Sequence, residues 1–303
     1  MSLDNLVAIF VSVAVFEMMA AVGLGVAVRD MVAVARDRSL LARAVLANYV
    51  CVPAATVILL LLFDAHPMVA AGFLVLAVCP GAPYGPPLTV LARGNAALSV
   101  GLMTILAVMS AVIAPASLYL LLPWIVGDGQ LQIDVFKMMS TLILVQLLPL
   151  GAGLGVRHFR PGIADRMLGP ALRFGKGLNV AAIVLIVTAD YHLLTEVRLK
   201  GLIGMLLLLM VSLAAGWLLG GHDVVSRKTL ALTTSLRNVG VGLVIATDAF
   251  GGTPAVTAVL AYGLVGVIGS LLIAWSWGRR PVLSGIVTQE IKERRVRVDG
   301  SDS

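Results

Sequence analysis

Long apolar runs, punctuated by short charged clusters, cover most of the chain. They divide it into nine segments of membrane-spanning length, at about 5–28, 39–63, 67–92, 96–122, 131–156, 172–193, 200–220, 228–250 and 254–278. Within each run the apolar residues are continuous rather than spaced as a 3.6-residue stripe. Helices that are apolar all round are buried on every side, and at this length they are membrane spans. The connections are short, and none has the length or polarity of an extramembrane domain. The predicted fold class is an all-α membrane protein with nine transmembrane helices in one domain over 1–278, followed by a basic tail over 279–303.

Composition agrees with the pattern. The chain is 59% hydrophobic and 13% charged, where soluble domains carry about 25% charged residues. The N-terminus MSLDNLV has no basic region and carries Asp4, so no cleaved signal peptide is expected. Cys51 and Cys79 lie inside apolar runs, and their spacing fits neither a disulfide framework nor a metal site. The net charge of +6 sits in loops and tail, where it reports orientation rather than nucleic-acid binding. Arg29, Arg36 and Arg38 follow the first span, Arg93 the third, Arg157, Arg160 and Arg166 the fifth, and Arg227 and Lys228 the seventh. The alternate loops are nearly bare, holding only Arg198 and Lys200. The N-terminus is therefore expected outside and the C-terminus in the cytoplasm, in a bacterial inner membrane. The tail segment IKERRVRV reads either as a short helix on anionic lipid or as a disordered end.

The third span breaks the pattern. CPGAPYGPPL, residues 79–88, holds Pro80, Pro83, Pro86, Pro87, Gly81 and Gly85 in the middle of a stretch with no charge. A proline inside a helix removes a hydrogen bond and clashes with the preceding turn, at a cost of about 3 kcal/mol. Freed backbone survives at membrane depth only where protein packs it or a wet cavity meets it. The predicted geometry is a half-helix ending near Pro80, an unwound stretch from Gly81 to Gly85, and a second half-helix opening at Pro86-Pro87. A strongly kinked packing helix is the alternative. The eighth span is the counterpart, with Thr233, Thr234, Ser235, Arg237 and Asn238 near its centre, then Gly240 and Gly242. PPLTVLARGNAALSVGL and GLVIATDAFGGTPAVTAVL share a layout of helix end, small-residue turn and new span. They lie about five spans apart. An odd separation makes the copies enter from opposite sides, as in the inverted repeats of secondary carriers.

Arg237 at bilayer depth costs at least about 2.5 kcal/mol and must meet a partner, a cavity or a substrate. Its planar fork suits a carboxylate or sulfate, while an ion pair with Glu17 is the structural alternative. Glu17 stands mid-span in VFEMMAAVGLGV and reads as counter-ion, proton carrier or lining of a wet vestibule. Asp248 and Asp190 fall at span ends and are expected at the interface.

These residues carry a resemblance. CPG before a broken helix, TVLARGNAALSV, SLRNVGVGLVIA and VGLGVAVRD resemble the bile acid:sodium symporter family over about residues 6–278. The resemblance implies that the chain starts at the family's second span. It implies a panel domain from spans 5–28, 96–193 and 254–278, and a core from 39–92 and 200–250 with two crossing broken helices. It implies alternating-access transport of bile acids or other organic anions, in bacteria small carboxylates. Substrate contacts are then expected among Arg237, Asn238, Thr233, Thr234, Gly85, Pro86, Ser99, Asn48 and Glu17.

The family's sodium ligands carry over poorly. Its Ser-Asn pair falls on Gly85 and Pro86, and its two hydroxyls on Ser99 and Met103. Its glutamate falls on Thr233, one glutamine on Arg237 and another on Asn48, while the asparagine is kept as Asn238. Like charges 4 Å apart repel by about 4 kcal/mol at an effective dielectric near 20, so a fixed guanidinium opposes sodium there. The expectation is transport without sodium, with Arg237 as a permanent cation. Coupling would then be to protons through Glu17, or absent as in exchange or facilitated movement. The alternative is one residual sodium on Ser99, Thr233, Thr234 and Ser235, with no cofactor beyond it. Neutral oxygens alone hold a hard cation weakly.

Enzymes are disfavoured. His66, His158, His192 and His222 fall in or near loops, and no His-x-x-x-His or acidic pair sits in a span. A membrane sensor would need an output domain, and the tail resembles none. In an oxyanion exporter Cys79 would be the thiol, against its reading as a small packing residue. The expected partners are a small organic anion and lipid, not nucleic acid; the oligomeric state stays open.

Overall fold

The computed structural model describes residues 3–127, 134–189 and 199–279. Asp190, His192, Arg198 and the basic tail after Arg279 lie outside the described residues. The described chain is helical and carries no strand. The helices are α1 Leu3–Gly25, α2 Val28–Arg36, α3 Arg38–Leu62, α4 Pro67–Ala77, α5 Gly85–Leu91 and α6 Ala96–Val126. They continue with α7 Val135–Phe159, α8 Pro161–Ala189, α9 Leu199–Leu219, α10 Val224–Ser235, α11 Val239–Phe250 and α12 Pro254–Arg279.

Six of these, α1, α3, α6, α7, α9 and α12, are long and apolar enough to cross a membrane. α8 is as long, but Asp165, Arg166, Arg173 and Lys176 interrupt it over 165–176. The segments 67–92 and 228–250 each form two short helices, α4–α5 and α10–α11. α2 is short and amphipathic. It lies in what the sequence pattern treats as a loop, and it buries Val34 against Gly101 of α6.

Local chemistry sets the helix ends. Asp37, Asn95, Asp134, Asp223 and Asn238 each accept a hydrogen bond from a first-turn amide, at Leu40, Leu98, Lys137, Ser226 and Val241. Asp223 lies outside the spans, and hydrogen bonds from Ser226 hold its carboxyl below the usual range. The cap is therefore fully formed at neutral pH and is lost as pH falls through the carboxyl's lowered pKa.

Two spans carry a π-turn, Ala47–Cys51 in α3 and Ile143–Leu147 in α7. Pro53 and Pro149 follow them and cannot donate to the carbonyls of Tyr49 and Val145, which widens the turn. Each turn aims polar side chains inward. Gln146 donates to Ser110 Oγ at 3.1 Å and to the Ala107 carbonyl, and Tyr49 donates to the Leu106 carbonyl at 2.6 Å.

The helices pack as two groups. α1 lies against the second half of α7 and along α8. α12 packs on α4, α11, α9 and α5, while α9 packs on α10 and α3, and α6 on α2, α4 and α5. The groups meet mainly where α1 crosses α11 and where α6 meets α7. Phe73 of α4 stacks on Tyr262 of α12 at 5.4 Å, inside the larger group.

The break in 67–92 is tight. Gly81 has φ +90°, and a Cβ there would meet Ala107 N at 2.7 Å and Met103 O at 2.8 Å in α6. Gly81→Ala combines left-handed strain with overpacking and is expected to cost about 2–4 kcal/mol. Thermal unfolding of the detergent-purified variant measures it; an unchanged midpoint would contradict the close approach.

Candidate functional site: the crossing of the broken helices

α4 ends at Ala77 because Pro80 has no amide hydrogen and disfavours helix at Cys79. The chain is non-helical to Tyr84, and α5 opens at Gly85 with Pro86 and Pro87 in its first turn. The first half-helix thus ends three residues earlier than the sequence pattern suggests. The second break is shorter, running from Leu236 to Asn238 between α10 and α11.

The two breaks satisfy each other. Pro80 and Arg237 form an antiparallel bridge, and the Asn238 amide donates to the Cys79 carbonyl at 2.8 Å. Asn238 Nδ2 reaches the Gly81 carbonyl at 3.5 Å. Backbone that lost its helical partners is therefore paired at the crossing, as burial away from water requires.

Arg237 is 3% exposed. One guanidinium nitrogen donates to the carbonyl of Ala77 at 3.2 Å and, more weakly, to that of Asn48 at 3.5 Å. The other donates to the carbonyl of Thr234 at 2.9 Å. Ala77 and Thr234 belong to the last turns of α4 and α10, where carbonyls lack helical partners and the dipole is negative. Asn48 belongs to the π-turn of α3. One side chain thus caps two half-helices and a widened turn. Its Nε has no hydrogen-bond partner, nor has Asn48 Oδ1.

Beside this cation lies a ladder of hydroxyls. Thr89 of α5 donates to Ser99 of α6 at 3.1 Å, and Ser99 stands 3.5 Å from Thr233 of α10. Gly85 packs near the Ser99 hydroxyl, and Met103 is buried one turn further along α6. Thr234 accepts from Asn48 Nδ2 at 3.2 Å, and Ser235 pairs with Ser270 at 2.9 Å. Thr89, Tyr84, Asn179 and Ser270 are not among the site residues read from sequence. Asn179 had a signal, as a lone amide in the run GLNVAAIVLIV.

A cavity of about 220 Å3 opens between the two helix groups, lined by Asn238 but not by Arg237. α1 and α8 wall it with Val11, Ala14, Val15, Met18, Asn179 and Ala182. α11 and α12 line it with Val239, Gly240, Leu243, Leu260, Gly263, Leu264 and Val267, and Tyr84 and Asn238 line it as well. The structure brings Asn238 to this cavity but turns the Arg237 guanidinium away, into the carbonyl cage.

Glu17 does not pair with Arg237. Its carboxyl sits against the backbone of Gly175 in α8, in the space a Cβ would occupy, and its Oε2 has no partner. Neither residue is in an ion pair among the described residues. Pro86 is half-buried and Pro87 exposed in the first turn of α5, and Pro83 is half-buried ahead of it. Asp248 pairs with Lys137 at 2.9 Å on an exposed surface, linking α11 to α7.

Apolar helices of spanning length, with two interrupted ones crossing in the interior, define an integral membrane protein of the polytopic helical class. A model of the Sodium Bile acid symporter family matches residues 12–217, and the chain belongs to that family. It is similar to the "Uncharacterized sodium-dependent transporter YocS" of Bacillus subtilis (strain 168), with 30% identity over 224 residues, 70% of this chain and 65% of that protein. It is also similar to the "Probable sodium/metabolite cotransporter BASS1, chloroplastic" of Arabidopsis thaliana, with 27% identity over 246 residues, 77% of this chain and 58% of that protein. The matched stretch thus spans 65% and 58% of the lengths of these relatives.

The cage generates a stability prediction. Arg237→Met leaves three carbonyls without their guanidinium donors and is expected to destabilise by about 3 kcal/mol or more. Arg237→Lys keeps the charge and is expected to recover part of the loss. Thermal unfolding of the two variants in detergent decides; equal stability of Arg237→Met and the parent would show that the cage does not hold the crossing.

Proposed function

We propose that the protein is a secondary transporter that moves a small organic anion, a carboxylate or bile-acid-like acid, by alternating access. The reading counts nine spans: six long apolar helices, α8, and the two interrupted pairs α4–α5 and α10–α11, arranged as an inverted repeat. The Lys/Arg asymmetry supports an N-terminus outside and a cytoplasmic C-terminus in a bacterial inner membrane. Packing favours a moving boundary between α1, α7 and α8 on one side and the remaining helices on the other. That division assigns α6 and α12 to the core, rather than to the panel expected from the family resemblance. The cavity lies on this boundary, where alternating access needs a site.

The observation that carries the reading is the polarity of the crossing. In carriers with broken helices, half-helix C-terminal ends and unwound carbonyls hold the coupling cation, and half-helix N-termini face the anionic substrate. Here the carbonyl side is filled by Arg237, and the N-terminus of α11 faces the cavity through Asn238 and Gly240. A sodium ion does not fit the cage alongside a guanidinium that donates to its carbonyls. In this reading Arg237 supplies the positive charge at all times, and anion transport is independent of sodium.

Sodium coupling is the second reading, favoured by the relatives' printed names and by the hydroxyls of Thr89, Ser99 and Thr233. Those hydroxyls include no carboxylate, and a hard cation is held weakly by neutral oxygens. Flux of radiolabelled carboxylates and taurocholate into proteoliposomes separates the two. Uptake is expected to persist when choline replaces sodium, and Arg237→Gln is expected to weaken anion affinity about tenfold, through the lost charge near the site. Loss of uptake in choline would establish sodium coupling; no uptake of any anion in either salt would end the carrier reading.

A further inference from the structure

Helix α8 carries a row of cations where its neighbour α1 is apolar. Gly162, Arg166, Gly169, Arg173 and Lys176 follow one another at spacings of four and three residues, so they share one helix face. The three basic residues are exposed. A Cβ at Gly162 would meet nothing within 4 Å, and one at Gly169 would meet only the Arg173 guanidinium, at 3.8 Å. Between its charges the row is therefore open down to the backbone. Ala164, Gly175 and Ala182 belong to a different, buried face. Ile163, Met167 and Phe174 make a third face, apolar and exposed.

Contacts with α1 fix the depth of the row. A Cβ at Gly25, the last residue of α1, would lie 3.5 Å from Leu168 Cδ1, and the Glu17 carboxyl lies against Gly175. Residues 168–175 of α8 thus run antiparallel beside residues 17–25 of α1. That length of α1 covers about 12 Å at 1.5 Å per residue, and it belongs to the candidate span Leu6–Gly25. Arg173 and Lys176 stand level with the interior of a span, yet they are exposed rather than packed inside.

No carboxylate answers them. Among the described residues Arg166, Arg173 and Lys176 form no ion pair, and Asp165, the one acidic residue of α8, is taken by Arg157. Glu17 shares their level but pairs with neither. A charge that faces hydrocarbon needs an anion or water in reach, and long side chains find one by running along the helix to the headgroups. Arg173 runs this way. Its guanidinium lies back over Gly169, one turn nearer the end of α8 that meets the end of α1.

We propose that this row binds an anionic phospholipid of the phosphatidylglycerol type. Arg166, Arg173 and Lys176 hold the phosphodiester over the open backbone at Gly169, and the acyl chains lie along Ile163, Met167 and Phe174. A guanidinium fork matches two phosphate oxygens at once. The exposed apolar face beside the cations, and their depth, select a lipid over a free phosphate. Three cations without an acid select a headgroup of net negative charge over a zwitterionic one. The row shares no residue with the cavity, so lipid binding there is independent of what the protein transports.

The test uses the full-length protein, purified in mild detergent and stripped of native lipid. Thermal unfolding is followed with phosphatidylglycerol, with phosphatidylcholine of identical chains, and with glycerol 1-phosphate. Phosphatidylglycerol is expected to raise the midpoint by a few degrees more than phosphatidylcholine, since a ligand of the folded state stabilises by mass action. Glycerol 1-phosphate is expected to leave it unchanged. The variant Arg166→Gln/Arg173→Gln/Lys176→Gln is expected to respond equally to both lipids. Gly169→Leu, which fills the row and keeps every charge, is expected to shrink the difference. The charge-matched control Arg29→Gln/Arg36→Gln/Arg38→Gln, exposed elsewhere on the protein, is expected to keep it. Should one α8 variant fail to fold, the other still reports on the row.

Equal shifts with the two lipids in the parent would overturn the proposal. So would the parent's difference surviving in the folded α8 variants. Its loss in the control would show a general attraction to basic surface instead of a site. A shift with glycerol 1-phosphate as large as with the lipid would make the ligand a soluble phosphate. A dimer that the triple variant abolishes, with no lipid preference in the parent, would give the row to a second copy of the chain.

Discussion

The guanidinium of Arg237 among the carbonyls of Ala77, Thr234 and Asn48 is the contact on which the centre of the molecule depends. Two helices that stop inside a membrane protein leave partnerless carbonyls, and those ends carry partial negative charge. Water is not there to meet them. One cation at the meeting point answers both half-helices and the π-turn of α3. The antiparallel bridge between Pro80 and Arg237 then pairs the backbone between the helix ends. Cage and bridge share residue 237: its backbone holds the second break against the first, and its side chain neutralises the helix ends that the breaks create.

The same arrangement gives the crossing two unlike faces. Carbonyls converge on one side and are filled by a side chain the protein carries permanently. Helix α11 begins on the other, capped by Asn238, 1% exposed, and opening on the cavity. A set of carbonyls held by a guanidinium and a helix start that meets the cavity are thus built from one pair of interruptions. The cavity sits where α1 and α8 meet α11 and α12, so its walls come from both helix groups. Relative movement of the groups would change its shape without breaking the crossing, which lies wholly within the larger group.

The architecture was largely legible in the chain. Continuous apolar runs marked the long helices, because membrane burial imposes the same demand on every face. Pro80, Gly81, Pro83, Gly85, Pro86 and Pro87 announced the first break, and its observed extent, 78–84, lies within three residues of the expected one. Asn238 was readable as a polar residue in mid-span, and it caps α11. The π-turns were not legible, since Pro53 and Pro149 are ordinary prolines until their neighbours are in place. The amphipathic helix α2 was passed over as a loop because it is too short and charged to span.

By itself the sequence determined that the chain is helical, that it belongs in a membrane, and that two of its spans are interrupted. Those properties follow from local composition, hydropathy and the backbone chemistry of proline. Only the tertiary structure decided what the interrupted residues do. Arg237 and Asn238 are neighbours in the chain, yet one turns into a carbonyl cage and the other to the cavity. Glu17, a plausible partner for Arg237 by hydropathy alone, lies against Gly175 on α8. Partner choice for a buried polar group depends on which unpaired groups other helices deliver within about 3 Å, and that is set by packing between segments far apart in sequence.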